Sequence, residues 1–134
     1  MHNRDYLPRS YAACTAVLGA LAVVAGAFGA HALRDRIDPR LFDAFEKGVF
    51  YHLFHVLVLL FLLSAERASL LSHRDARNAF HGFLIGIGLF SGSLYLLALT
   101  GFRPLGMVTP FGGTAFIITW AFLARAFMRS ETSR

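Results

Sequence analysis

The chain has 134 residues, 56% of them hydrophobic and only 16% charged. A soluble domain carries about 25% charged residues, and one this small has a large surface to keep wet, so the composition excludes a soluble globular protein and leaves an integral membrane protein. The net charge of +5 sits on basic residues that flank apolar runs, which reads as topology signals and lipid-headgroup contacts and not as nucleic-acid binding.

The first apolar run is 10–33, preceded by Arg4 and Arg9. Ala30-His31-Ala32 imitates a signal-peptidase site. The run has more than 20 uncharged residues, longer than the about 7–15 of a signal core, so a retained helix is expected. The lone cysteine, Cys14, lies inside it, which rules out an internal disulfide and favours a packed thiol.

Residues 34–47 form the longest polar connection. Asp38-Pro39 is a helix-start signal, with Asp as cap and Pro in the first turn. Leu41, Phe42 and Phe45 follow on one side at helical spacing, predicting an amphipathic lead-in to a second helix over 39–65. Residues 64–78 read as a polar loop holding Arg67, Arg74 and Arg77, and a third helix follows over 79–100. Gly101 to Gly106 form a turn. Thr109-Pro110 looks like another cap and first-turn pair, within a fourth helix placed at 106–126, and the tail from Ser130 is expected to fray. Four spans leave the N-terminus, second loop and C-terminus with eight Lys and Arg, against five on the other side, which puts both termini in the cytoplasm.

Membrane helices associate through close contact of small residues. Gly19, Ala22, Gly26, Gly29 and Ala30 share a stripe about 100° wide on the first helix. The third helix has two such surfaces, Gly82 with Gly86 and Ser93, and Gly88 with Ser91, Gly92 and Tyr95. It is expected to be central, packed on the first helix and one other or at a subunit interface.

Polar groups are costly in hydrocarbon, so those inside the spans should face protein. Lys47, Tyr51, His52 and His55 fall in one sector of the second helix. His31 closes the first helix on the same side, and Ser91, Ser93 and Tyr95 occupy the matching half of the third. A polar cluster of His31, Tyr51, His55 and third-helix hydroxyls is thereby possible. Three uses compete for it: a hydrogen-bonded histidine pair that fixes helix register, a proton- or solute-translocating site, and metal or haem ligation by His31 and His55. No carboxylate accompanies the histidines, which weakens the second and third. Trp120, in mid-helix, needs an acceptor for its indole N–H and should face the bundle. His2, His73 and His81 carry no signal alone. No nucleophile elbow, zinc-binding His-Glu-x-x-His, phosphate loop or Cys-x-x-Cys is present.

Gly26-Ala27-Phe28-Gly29-Ala30-His31-Ala32-Leu33, then Tyr51-x-x-x-His55, then Phe90-Ser91-Gly92-Ser93-Leu94-Tyr95, then Thr109-Pro110-Phe111-Gly112-Gly113 with Trp120, resembles the domain-of-unknown-function family 423, small bacterial inner-membrane proteins similar to the eukaryotic transmembrane protein 256. The resemblance covers nearly the whole chain in order. It implies a four-helix membrane protein without an established activity and transfers no chemistry. Its pattern includes His31, Tyr51, His55, Ser91 and Tyr95 and leaves out His52 and His81.

The expectation is an all-α membrane protein, one integral domain over 1–134 built as a four-transmembrane-helix bundle in the bacterial inner membrane. The leading function is non-enzymatic: an accessory or scaffolding subunit, as a homo-oligomer or within a larger membrane complex. Its partner is the lipid bilayer, with no nucleic acid, no cofactor, no metal and no catalytic residue. The alternatives are transport through the His/Tyr-lined outer half and haem or metal binding by His31 and His55.

Overall fold

A computed structural model describes residues 6–131, with side chains through Arg129. His2 and the tail beyond Glu131 lie outside that range. The described residues are helical with no strand. α1 is Arg9–Phe28, continued by one π-helical turn at Gly29–Leu33; α2 is Pro39–Arg67; α3 is His73–Gly86, a second π turn is Ile87–Ser91 and α4 is Gly92–Thr100; a 3-10 turn at Arg103–Met107 leads into α5, Thr109–Glu131. α3, its π turn and α4 form one continuous rod, so four helical segments are long and apolar enough to cross a membrane: Arg9–Leu33, Pro39–Arg67, His73–Thr100 and Arg103–Arg129.

The helix ends follow local chemistry. The Asp38 carboxylate accepts from the Arg40 backbone N–H at 2.8 Å and Pro39 takes the first helical position. Phe45 is buried and Leu41 and Phe42 pack beside it, as the amphipathic lead-in requires. α2 ends where Ser69 adopts φ +60°, and the Leu70 N–H bonds back to the Ala65 carbonyl at 2.9 Å. The second connection is much shorter than the polar stretch 64–78. Ser72 caps α3 by accepting from the Asp75 N–H at 3.0 Å, so helix begins at His73 and not Ala79. The two polar opening turns of α3 belong to the helix because a cap, and not apolar periodicity, starts it. At the other end Gly101, at φ +69°, closes α4 in a left-handed turn. Thr109 is the first residue of α5, and its hydroxyl pairs with Ser93 at 2.8 Å instead of capping. α5 runs through Ser130 to Glu131, further than the expected 126.

The packing order corrects one expectation. The glycine stripe of α1 faces α2, not the third segment. Cβ atoms placed at Gly19 and Gly26 would stand 3.4 Å from Val56 and Val49, and one at Gly29 would stand 2.8 Å from the Phe45 ring. Helix 3 is central as expected, but between α2 and α5. A Cβ at Gly82 would overlap the Thr119 hydroxyl, one at Gly86 the Phe116 ring, and one at Gly112 the backbone N of Phe90 inside the π turn. A Cβ at Gly88 or Gly92 would meet nothing within 4 Å, so these two glycines pack on no other helix among the described residues, although their neighbours Ser91 and Tyr95 do turn inward. The main core, Leu59, Leu62, Phe80, Phe83, Leu123 and their neighbours, fills the half of the bundle nearer the termini.

Candidate intramembrane polar site

His55 is built into the meeting point of α2, α3 and α5. It is 2% exposed. Its Nδ1 lies 2.8 Å from the Tyr51 carbonyl oxygen one turn back. A carbonyl only accepts, so Nδ1 carries the proton and Nε2 is left as an acceptor. The Trp120 indole N–H, 3.4 Å away on α5, donates to Nε2. The ring lies flat on Phe116, with centroids 3.7 Å apart and planes at 4°, and packs against Phe83 at 5.4 Å. Both nitrogens are thus engaged in a way that only the neutral ring satisfies; a proton on Nε2 would oppose the indole N–H. Trp120 finds its acceptor as the sequence requires.

His52, one position off the recognised pattern, is the second buried imidazole, at 5% exposure. Its Nδ1 is 3.1 Å from the Tyr95 hydroxyl on α4. Tyr95 reaches it because position 48 is glycine: a Cβ there would stand 3.0 Å from the Tyr95 ring. Tyr95 also packs on Phe45 with centroids 5.0 Å apart. His52 Nε2 and Ser91 Oγ are both buried without a hydrogen-bond partner; the Leu18 carbonyl of α1 lies toward the His52 ring without reaching hydrogen-bond geometry.

The expected cluster is therefore assembled only in part. Tyr51, His55, Ser91 and Tyr95 sit at the contact of α2 with the third segment. His31 does not join them. It is exposed at the π turn that ends the first segment. Gly19 lies level with Val56 and Gly26 with Val49, so position 20 is level with His55, and His31 lies eleven residues further along. That is about 16 Å along the axis, too far for one metal ion or one haem iron to join the pair. Among the described residues no group of three His, Cys, Asp or Glu side chains could hold a metal.

A second polar node was not visible in the sequence. Glu66, 5% exposed at the end of α2, accepts the Leu7 backbone N–H on both oxygens, at 2.9 and 3.2 Å, and meets His73 Nδ1 at 2.9 Å. It joins the chain ahead of α1 to the turn between α2 and α3. Three-residue polar spacing gave no clue, because its partners lie 59 and 7 positions away. His81, in the second half of α3, pairs with the Tyr11 hydroxyl at 3.2 Å.

Beside His55 a lateral groove of about 500 Å³ opens between α2 and α5, walled by Tyr51, Phe54, Phe90, Phe116 and Trp120. Its lining is mostly aromatic and its one imidazole is saturated. The arrangement holds helices in register and presents aromatic surface sideways.

The family model described as "Protein of unknown function (DUF423)" matches residues 25–113. The UPF0382 membrane protein of Staphylococcus epidermidis is 42% identical over 120 residues, covering 84% of this chain and 93% of that protein. UPF0382 membrane protein YwdK of Bacillus subtilis is 40% identical over 117 residues, covering 84% and 94%. UPF0382 inner membrane protein YgdD of Escherichia coli is 36% identical over 108 residues, covering 81% of each chain. No solved structure matches.

Proposed function

The chain belongs to the DUF423 family of membrane proteins, and from that premise we propose that it is a non-enzymatic accessory or scaffolding subunit, working as a homo-oligomer or inside a larger membrane complex. The observation that carries this reading is the state of His55: this almost fully buried side chain uses both ring nitrogens to tie α2 to its own backbone and to α5. A group committed in this way fixes register and offers no free lone pair or proton to a substrate. The transport alternative loses its central residue by the same geometry.

The location proposed is the bacterial inner membrane, consistent with the name of the Escherichia coli relative. The eight-to-five distribution of Lys and Arg supports cytoplasmic termini. The test of the function is isolation in mild detergent with identification of whatever co-purifies. A defined oligomer or a stoichiometric partner is expected. A lone monomer, or proton or solute flux in proteoliposomes that His55→Ala abolishes while the variant stays folded, overturns the reading. Reporter fusions at each terminus test the orientation, and an external signal from either one refutes it.

A further inference from the structure

The end of the bundle that carries both termini holds a second, unrelated site. Between the opening turns of α3 and the last turns of α5 lies a crevice of about 410 Å³ lined by Ser72, Arg74, Asp75, Asn78, Phe122 and Arg129. Its walls are layered along the bundle axis. Phe122 and Arg129 lie seven positions apart on α5, about 10 Å. The headgroup region of one leaflet is about 5–7 Å thick. An aromatic ring at the hydrocarbon edge and guanidinium groups in the phosphate layer therefore fall within one cavity.

The charges are arranged to leave positive potential there. Asp75, the one acid in the lining, accepts from the Ser72 hydroxyl at 2.8 Å and from the Arg129 guanidinium at 3.4 Å. One fork of a guanidinium holds it, and Arg129 remains 55% exposed, with further donors free. Arg74 stands on the same rim with no ion pair among the described residues. Asn78, one turn further along α3, adds an amide at the depth between the arginines and the ring. Two guanidinium groups in fork geometry suit a phosphate oxyanion, and the ring below suits the glycerol and the start of an acyl chain. A free phosphate would use only the upper half of this cavity.

We infer that the crevice between α3 and α5 binds the headgroup of an anionic phospholipid, with Arg74 and Arg129 on the phosphate and Phe122 against the acyl end. The site does not depend on the scaffolding reading or on which side of the membrane it faces.

The full chain in mild detergent is titrated with phosphatidylglycerol, phosphatidylcholine or inorganic phosphate, and bound lipid is counted by native mass spectrometry alongside thermal unfolding followed by tryptophan fluorescence. Phosphatidylglycerol should bind and raise the unfolding temperature, phosphatidylcholine should bind at least tenfold more weakly, and phosphate should not substitute. Arg74→Ala/Arg129→Ala should weaken phosphatidylglycerol binding at least tenfold. Arg74→Ala alone breaks no hydrogen bond or ion pair among the described residues and should weaken it several-fold, while Arg103→Ala at the opposite end should leave it unchanged. Equal response to the two lipids, full effect from phosphate alone, or wild-type binding by Arg74→Ala and the double variant each overturns the proposal.

Discussion

Gly112→Ala is the sharpest probe of how the third segment is held. Position 112 lies in the first turn of α5, directly against the π turn of the rod beside it. A methyl group there would stand 2.7 Å from the Phe90 Cα and closer still to its backbone N, where ordinary contact begins at 3.4 Å. The obstacle is backbone, so no side-chain rotation relieves it, and the two helices must part by about 1 Å, at the overpacking cost of about 1–3 kcal/mol. That lowers the folded-to-unfolded ratio about 5- to 150-fold. Gly88→Ala is the matched control. The same methyl meets nothing within 4 Å, and replacing a mid-helix glycine gains about 0.5–1 kcal/mol from reduced chain entropy. Unfolding of both purified variants by titration with sodium dodecyl sulfate, followed through Trp120 fluorescence, should place Gly112→Ala well below wild type and Gly88→Ala at or above it. Coincident transitions for the two variants would show that the α5 contact with the π turn does not bear on stability.

Further outcomes follow from single contacts. Trp120→Phe keeps the ring but removes the donor to His55 Nε2, and should cost about 1–3 kcal/mol in the same titration because a buried acceptor is left alone; Trp120→Phe with His55→Phe should recover part of that loss. Ser91→Ala deletes a fully buried hydroxyl that has no partner, so it should be neutral or stabilising by about 1 kcal/mol; a clear loss would mean the hydroxyl has a role in holding the π turn. Gly26→Leu should detach α1 from α2 and increase protease sensitivity of the first connection, whereas Gly92→Leu should change neither. Glu66→Ala removes the shared acceptor of Leu7 and His73 and should speed amide exchange at residues 6–9, measured by mass spectrometry, without altering exchange around His55.

Much of the fold was legible because long apolar runs and Lys/Arg spacing are local properties. Asp38-Pro39 marked the start of α2 correctly, and of the α1 stripe Gly19, Gly26 and Gly29 stand against α2 while Ala30 is exposed. What the sequence could not supply was the partner of each face. Helix periodicity says that Gly19 and Gly26 point one way but not that Val56 and Val49 stand opposite. The start of α3 was missed because its opening turns are polar; the Ser72 cap with Asp75 three residues on was the available signal. The polar site was half legible. Tyr51 and His55 were found from spacing, and Tyr95 from its place in the third segment, but His31 was grouped with them on depth alone. Counting from each helix end placed His31 and His55 on one side of the membrane without giving their separation. His52 lies outside the recognised pattern, yet it holds Tyr95, and the absence of a side chain at Gly48 lets the Tyr95 ring come that close. The π turns add a further offset. Each adds about one residue to a turn, so the residues beyond it fall on a different face from the one an unbroken helix would give them.

The Glu66 node also sets an order of events during synthesis. Leu7 leaves the ribosome long before its acceptor, which comes 59 positions later at the far end of α2. The first segment must therefore enter the bilayer with its leading end untethered, and it is secured only when α2 is complete. The same carboxylate thus closes the first two segments at one end and, through His73, joins the opening of α3 to that closure.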